Sequence, residues 1–81
     1  MSIEKRRRKR RYMTLPYTIE LTPDKNGVWV ASIPLLKGCL TQGDSREDAL
    51  MMLDEAKELW LETAIEEGIT IPEPLIETTL G

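Results

Sequence analysis

Apolar and polar residues alternate in two short runs after the first sixteen positions. In residues 17–21 the apolar side chains of one face are Tyr17, Ile19 and Leu21, and in residues 28–33 they are Trp29, Ala31 and Ile33. The segment between these runs contains residues that favour turns: Pro23, Asp24, Asn26 and Gly27. Two alternating runs around a glycine-containing loop predict a β-hairpin. Pro34 ends the second strand because it lacks a backbone donor, and a short third strand is predicted around residues 39–41.

The periodicity changes to that of a helix after Ser45. One helical stripe over residues 45–67 is predicted to face the core: Ala49, Met52, Leu53, Ala56, Trp60 and Ala64. Ser45 with Asp48, or Asp44 with Glu47, provides an N-cap, and Gly68 ends a helix of about 22 residues. A second apolar group lies beside that stripe and fits either flank packing or an oligomer contact: Leu50, Met51, Leu61 and Ile65.

The order of these elements predicts the fold class. Pro72 and Pro74 fix an extended connector after the helix, and residues 75–80 could form one last edge strand. The sequence therefore predicts an α+β domain with the order β-β-β-α-β, in which an antiparallel sheet carries one long helix on a face.

Charge divides the chain into two unlike parts. Residues 1–11 contain seven Lys/Arg and one Glu, for a net charge of +6, whereas residues 12–81 contain four Lys/Arg and thirteen acids, for −9. We expect residues 1–13 to form a disordered basic arm, because like charges repel and no apolar periodicity is present, and residues 14–81 to form the domain. The arm is either a solvated tail or a nucleic-acid contact made by its cations: Arg6, Arg7, Arg8, Lys9, Arg10 and Arg11.

The octet of residues 38–45 is close to the phosphate-binding pattern G-x-x-x-x-G-K-[ST]. Asp44 stands where that pattern requires a lysine, so a negative charge would face the phosphate. Asp44 and Ser45 are better explained as caps of the helix, and the two glycines as turn residues between the sheet and the helix. A nucleotide site is therefore not predicted.

Composition argues against catalysis and against a metal site. The chain has no histidine and one cysteine, Cys39, so it can form neither an internal disulfide nor a Cys/His metal cluster. Glu20, Asp24 and Asp54 are not arranged to converge on metal ions, and Cys39 has no imidazole to activate it. We expect a protein that is not an enzyme and that uses no cofactor.

Length and hydropathy bound the remaining possibilities. With 81 residues the chain buries a limited core, so self-association into a dimer or tetramer is expected. No apolar run approaches the roughly 20 residues of a membrane span, and the basic N-terminus is not followed by a signal-peptide apolar region. The expected location is the cytoplasm.

The ordered series of elements resembles the HicB antitoxin family of toxin–antitoxin pairs. The resemblance covers roughly residues 17–74. It rests on the aromatic-led first strand, the G-x-W-x-A strand ending in Pro34, Gly38-Cys39, the run from Thr41 to Ala49, Leu59-Trp60 in the helix, and the final series Glu67-Gly68 with Ile71-Pro72-Glu73-Pro74. The family commonly has Asp-Leu-Pro where this chain has Leu35-Leu36-Lys37, so the shape of this loop is expected to differ.

The resemblance implies a partial ribonuclease-H-like fold and a binding function. The expected partner is a small basic HicA-type toxin that cleaves mRNA, and the expected action is to mask its active site. Acidic and apolar residues near the hairpin and the tail are the predicted contacts: Leu35, Leu36, Glu73 and Ile76. Many relatives carry a C-terminal DNA-binding module, which is expected to be missing here because the sequence ends seven residues after Pro74.

A second hypothesis assigns the function to the basic arm. In that case the chain is a solitary, self-associating domain whose N-terminal residues bind nucleic acid. The two hypotheses differ in whether the acidic body or the basic arm meets the partner.

Overall fold

The computed structural model describes residues 2–74 of the chain. Its elements in chain order are α1 (Ile3–Thr14), β1 (Glu20–Pro23), β2 (Trp29–Ser32), β3 (Leu40–Gly43) and α2 (Arg46–Glu67). The three strands form one antiparallel sheet in the order β1-β2-β3, and α2 packs against β2 and β3. The α+β class, the antiparallel sheet and the long helix are thus confirmed. The last predicted strand lies outside the described residues, and the ribonuclease-H-like assignment stays a prediction.

Strand β2 lies at the centre of the sheet and pairs with a strand on each side. It pairs with β1 from Glu20 opposite Ser32 to Pro23 opposite Trp29, and with β3 on its other side. Ala31 is fully buried and Ile33, just after the strand, is nearly so. The alternating face of this strand therefore points into the core, as expected.

Helix α2 begins and ends as its sequence predicts. The Ser45 hydroxyl accepts a hydrogen bond of 3.0 Å from the backbone N–H of Asp48. Gly68 takes a left-handed conformation with φ of 69° at the C-cap, where glycine has no steric penalty. Both helix ends are satisfied by local residues, which explains why their positions could be predicted.

The buried face of α2 is broader than the predicted stripe. Met52 was expected in the core but is 46% exposed, whereas Leu61 and Ile65, expected beside the stripe, are buried. For Leu61 and Ile65 the flank-packing alternative is confirmed, because α1 packs along α2 and its Tyr12 joins the same core cluster. A second buried side therefore forms on α2 that a single-face interpretation does not include.

Gly43 sets the distance between the sheet and α2. A Cβ atom at this position would lie 2.5 Å from the backbone nitrogen of Ala49 and 2.8 Å from its Cα. Because the clash is with backbone atoms, the helix would have to move away to accept a side chain. Gly43 was expected in the turn before α2, but it is the last residue of β3 and allows close packing instead.

The basic N-terminal segment is helical, which corrects the expectation of a disordered arm. The Ser2 side chain caps α1 by accepting a hydrogen bond from the Lys5 N–H. Lysine and arginine favour helix formation, and their mutual repulsion is offset by carboxylates of α2 and the tail that lie opposite. The net charge of each segment does not predict this pairing, because the acids that pair with α1 are about fifty to sixty positions away in sequence. The placement of a domain boundary after residue 13 stays a prediction.

Candidate partner-binding surface

An open groove of about 410 Å³ lies between the start of β1, the β2–β3 loop and the tail after α2. We call it the hairpin–tail groove and define it by its lining residues: Pro16, Thr18, Glu20, Pro34, Leu35, Glu73 and Pro74. Three segments that are distant in sequence therefore meet at one surface. Two of the predicted contact residues, Leu35 and Glu73, are among them.

Two adjacent leucines of the β2–β3 loop differ in their exposure to solvent. Leu36 is completely buried, whereas Leu35 is 43% exposed and faces the groove. The loop is closed by backbone bonds from the Leu36 N–H to the Ile33 carbonyl (3.0 Å) and from the Cys39 N–H to the Leu36 carbonyl (2.8 Å). This corrects the expectation that Leu36 is an exposed contact residue, because its side chain belongs to the core.

A tryptophan of α2 forms a hydrogen bond with the same loop. The Trp60 indole N–H donates a hydrogen bond of 2.9 Å to the Lys37 carbonyl. Since the loop is fixed both by its own backbone bonds and by α2, Leu35 is presented on a rigid support. Such preorganisation reduces the entropy that binding must offset.

The tail is fixed to the other side of the groove. The Tyr17 hydroxyl donates a hydrogen bond of 2.5 Å to the Pro72 carbonyl, and Ile71 is buried in the core. Burial raises the pKa of the Tyr17 phenol, so it stays a donor at neutral pH. These two contacts place Glu73 at the edge of the groove. Ile76, the fourth predicted contact residue, lies outside the described part of the chain.

Glu73 also joins the tail to α1. Its carboxylate accepts two hydrogen bonds of 3.3 Å from the Arg11 guanidinium, and this raises the pKa of Arg11. Glu20 also lines the groove, which therefore offers two carboxylates, proline rings and Leu35. That combination suits a partner with basic groups around an apolar side chain.

The predicted nucleic-acid residues divide into two sets on α1. Lys9 donates to Glu58 (3.0 Å) and Glu62 (3.1 Å), which raises the pKa of Lys9, and Arg11 is held by Glu73. The other four are exposed and form no ion pair within residues 2–74: Arg6, Arg7, Arg8 and Arg10. Sequence reasoning treated all six as equivalent, whereas the fold divides them.

A buried lysine is the polar feature that the sequence did not reveal. Lys57 of α2 is 8% exposed; its Nζ donates to the Met13 carbonyl at 3.1 Å and lies 5.2 Å from the centre of the Tyr17 ring. Burial lowers the pKa of Lys57 and raises that of the buried Cys39 thiol. A lysine among acidic residues on a helix usually faces solvent, so its sequence context did not predict burial.

Metal-binding clusters and membrane-spanning helices are both absent from the described part of the chain. Within residues 2–74, no group of three or more Cys, Asp or Glu is placed to hold a metal ion. No helix in the same range is both long and apolar enough to cross a bilayer.

The described residues form a small α+β domain with an open groove between the hairpin and the tail. Comparison with known proteins places it: the family model described as the HicB-like antitoxin of bacterial toxin–antitoxin systems matches residues 16–79. The chain belongs to this family, which assigns it an antitoxin role. The family recognised from the sequence is thereby confirmed.

Relatives from archaea and cyanobacteria share most of the domain. A UPF0150 protein of Thermoplasma acidophilum is 34% identical over 58 residues, covering 72% of this chain and 84% of the relative. A UPF0150 protein of Synechocystis is 41% identical over 56 residues, covering 69% and 71%. A UPF0150 protein of Archaeoglobus fulgidus is 32% identical over 69 residues, covering 83% of this chain and all of the relative. No solved structure matches the chain significantly.

Proposed function

We propose that the chain neutralises a small, basic, mRNA-cleaving toxin of the HicA type by binding it and masking its active site. The family match over residues 16–79 carries this proposal, because it assigns an antitoxin role. An antitoxin of this kind acts by binding and needs no catalysis of its own. The toxin type rests on the family resemblance, and the contact surface on the geometry of the groove.

The hairpin–tail groove is the surface best suited to that partner. Its two carboxylates, Glu20 and Glu73, would attract a basic protein and steer its approach. Leu35 adds an apolar side chain that is 43% exposed in the chain and would lose that contact with water on binding. Glu58, Glu62 and Glu66 of α2 lie outside the groove and pair with lysines of α1. Glu73 pairs with Arg11, so Glu20 is the carboxylate of the groove that has no ion pair within residues 2–74.

The test uses the full chain and the small basic protein encoded beside it. The two proteins should co-purify, and the chain should suppress RNA cleavage by its neighbour in a stoichiometric titration. Leu35→Arg should weaken this inhibition about tenfold or more, because it places a cation against a basic partner.

The matched control is Leu40→Arg, which changes an exposed leucine of β3 that lies outside the groove. It should inhibit as well as the wild type. If no adjacent small protein binds the chain, the proposed function is wrong. If both substitutions weaken inhibition equally, the toxin does not use the groove.

We further propose that the chain self-associates into a dimer or tetramer through the outer face of α2. Within the described residues this face exposes three large apolar side chains: Met51, Met52 and Leu59. Exposed apolar residues in such a number commonly mark a contact surface. Light scattering coupled to size exclusion should give a mass of two or four chains, and Met51→Glu should lower it. A monomer mass at all concentrations would contradict the proposal.

A further inference from the structure

One ion pair of the protein shares its carboxylate with the hairpin–tail groove. The Arg11 guanidinium of α1 donates hydrogen bonds of 3.3 Å to both carboxylate oxygens of Glu73, and Glu73 lines the groove. The carboxylates that pair with Lys5 and Lys9 belong to α2 and lie outside the groove. Within residues 2–74, Arg11 is therefore the one cation that forms an ion pair with a wall residue of the groove.

Other contacts hold both members of this pair in place. The end of α1 is anchored because the Met13 carbonyl accepts a hydrogen bond of 3.1 Å from the buried Lys57. The tail is anchored because the Pro72 carbonyl accepts a hydrogen bond from the Tyr17 hydroxyl. Loss of the ion pair would therefore detach neither segment, and Glu73 would keep its position at the groove.

The pair is also accessible to an incoming cation. The side chains of Arg11 and Glu73 are 57% and 49% exposed, so water and other ions reach both of them. Exposed ion pairs of this kind contribute little to stability. The Arg11 guanidinium also lies 5.3 Å from the centre of the Tyr12 ring, a contact within α1 that does not depend on Glu73. A cation brought by a partner can therefore replace Arg11 without disturbing the fold.

We propose that Arg11 is an internal competitor for the partner's cation, and that a basic partner binds the groove by displacing Arg11 from Glu73. This inference rests on the proposed toxin binding and names a residue that limits its affinity. Glu20, which has no ion pair within residues 2–74, can receive a cation directly. Glu73 must instead exchange one cation for another, so the two carboxylates of the groove are not equivalent.

The exchange at Glu73 favours a guanidinium group over an ammonium group. Arg11 gives this carboxylate two hydrogen bonds, one to each oxygen, and a second guanidinium fork replaces both at once. A lysine ammonium is a compact point charge that does not reproduce this fork. The group that meets Glu73 is therefore an arginine of the partner, placed beside an apolar side chain that covers Leu35.

The test is a double-substitution cycle on the full chain. The affinity for the adjacent small basic protein is measured by calorimetry for the wild type, Arg11→Gln, Glu73→Gln and the combination of the two. Arg11→Gln should tighten binding about threefold, within the range of an exposed ion pair, because Glu73 no longer has to be released. In the Glu73→Gln background the same substitution should leave the affinity unchanged, because no carboxylate remains for Arg11 to hold.

The matched control is Arg10→Gln, which removes the same charge from the neighbouring position of α1. Arg10 is exposed and forms no ion pair within residues 2–74. At about 0.15 M salt, charges more than about 8 Å apart are largely screened, so this variant should bind like the wild type. Circular dichroism checks that every variant keeps its helix content.

NMR of the Arg11 side chain gives a direct readout of the displacement. In the free Glu73→Gln chain, the Arg11 Nε–H resonance reports a guanidinium without its carboxylate. When the wild type is saturated with the basic protein, its Arg11 resonance should move toward that position.

Equal tightening by Arg11→Gln and Arg10→Gln would overturn the proposal, since the loss of any positive charge would then explain it. So would an Arg11→Gln variant that binds no tighter than the wild type, an equal effect of Arg11→Gln with and without Glu73→Gln, or an Arg11 resonance that does not move in the complex. These outcomes leave toxin binding itself intact. If the basic protein binds none of the chains, the proposed function is wrong and this inference fails with it.

Discussion

Helix α2 is held on its two sides by different forces. Toward the sheet, Ala49 and Leu53 are at most 1% exposed, and Gly43 lets the backbones approach closely. Toward α1, much of the contact consists of ion pairs whose side chains are between 21% and 50% exposed on Lys5, Lys9 and their partners. One side is a dry apolar interface, and the other is a charged interface in contact with water.

The contact of α2 with the sheet should depend little on salt, whereas its contact with α1 should weaken as salt is added. Burial of apolar surface contributes roughly 25 cal/mol per Å² and depends little on salt. Exposed ion pairs contribute little and are screened as ionic strength rises. Only the C-terminal end of α1 has apolar support, through Tyr12, and a buried hydrogen bond from Lys57 to Met13. We therefore expect the N-terminal turns of α1 to separate from α2 before the sheet does.

The largest expected effect comes from the apolar side. Leu53→Ala should destabilise the protein by about 2–5 kcal/mol, because the side chain is 1% exposed and its removal leaves a cavity. Urea unfolding followed by circular dichroism measures this change. Glu55→Ala, on the exposed side of the same helix, should change stability by less than about 0.5 kcal/mol. Similar destabilisation by both substitutions would mean that α2 does not have the described orientation.

A smaller, pH-dependent effect is expected at the junction of α1 and α2. Burial lowers the pKa of Lys57 below 10.5, so in the window between the two values the unfolded chain holds more protons than the folded one. Raising the pH through this window therefore favours the folded state. Relative to Lys57→Met, the wild type should gain stability as the pH rises from neutral toward 10.5.

Unfolding of both proteins across that pH range measures the difference. Cys39 and Tyr17, whose pKa values burial raises, oppose the trend in both proteins, so the comparison largely removes their contribution. A difference in the free energy of unfolding between wild type and variant that stays constant at all pH values would show that folding does not lower the pKa of Lys57.

The smallest effect is expected on the charged side. Lys9→Gln removes the pairs with Glu58 and Glu62 and should reduce hydrogen-exchange protection in α1 at about 0.01 M salt. The reduction should disappear at about 1 M salt, where the pairs of the wild type are also screened. Arg10→Gln, a neighbour without an ion pair in residues 2–74, is the control and should leave protection unchanged. A reduction that persists at high salt would mean that Lys9 acts by packing and not by charge.

The parts of the fold that the sequence predicted are those fixed by neighbours along the chain. Ser45 and Gly68 cap α2 through contacts a few residues away, and the second strand of the hairpin follows from its alternation. The first strand was placed too early, since β1 begins at Glu20 and Ile19 is 45% exposed. Helix α1 was missed because its support comes from distant carboxylates. The sequence left Leu61 and Ile65 open between flank packing and an oligomer contact for the same reason, since their burial depends on what packs on the second side of α2.

The candidate site was predictable in composition but not in shape. Leu35 and Glu73 were chosen as apolar and acidic residues near the hairpin and the tail, and they do line one groove. Which of two adjacent leucines faces outward could not be predicted, because the loop departs from the family pattern and its turn bonds set the orientation. Leu36 was therefore misplaced. The position of the tail likewise depends on the hydrogen bond from Tyr17 to Pro72, which are 55 positions apart in sequence.

The most direct test asks where the toxin binds. The isotope-labelled full chain is titrated with the adjacent small basic protein, and backbone amide shifts are followed by NMR. We expect the largest changes at Thr18, Leu35 and Glu73, with the amides of the first two turns of α1 unchanged. Changes concentrated on α1 or on the outer face of α2, with the groove unaffected, would contradict toxin binding by the hairpin–tail groove.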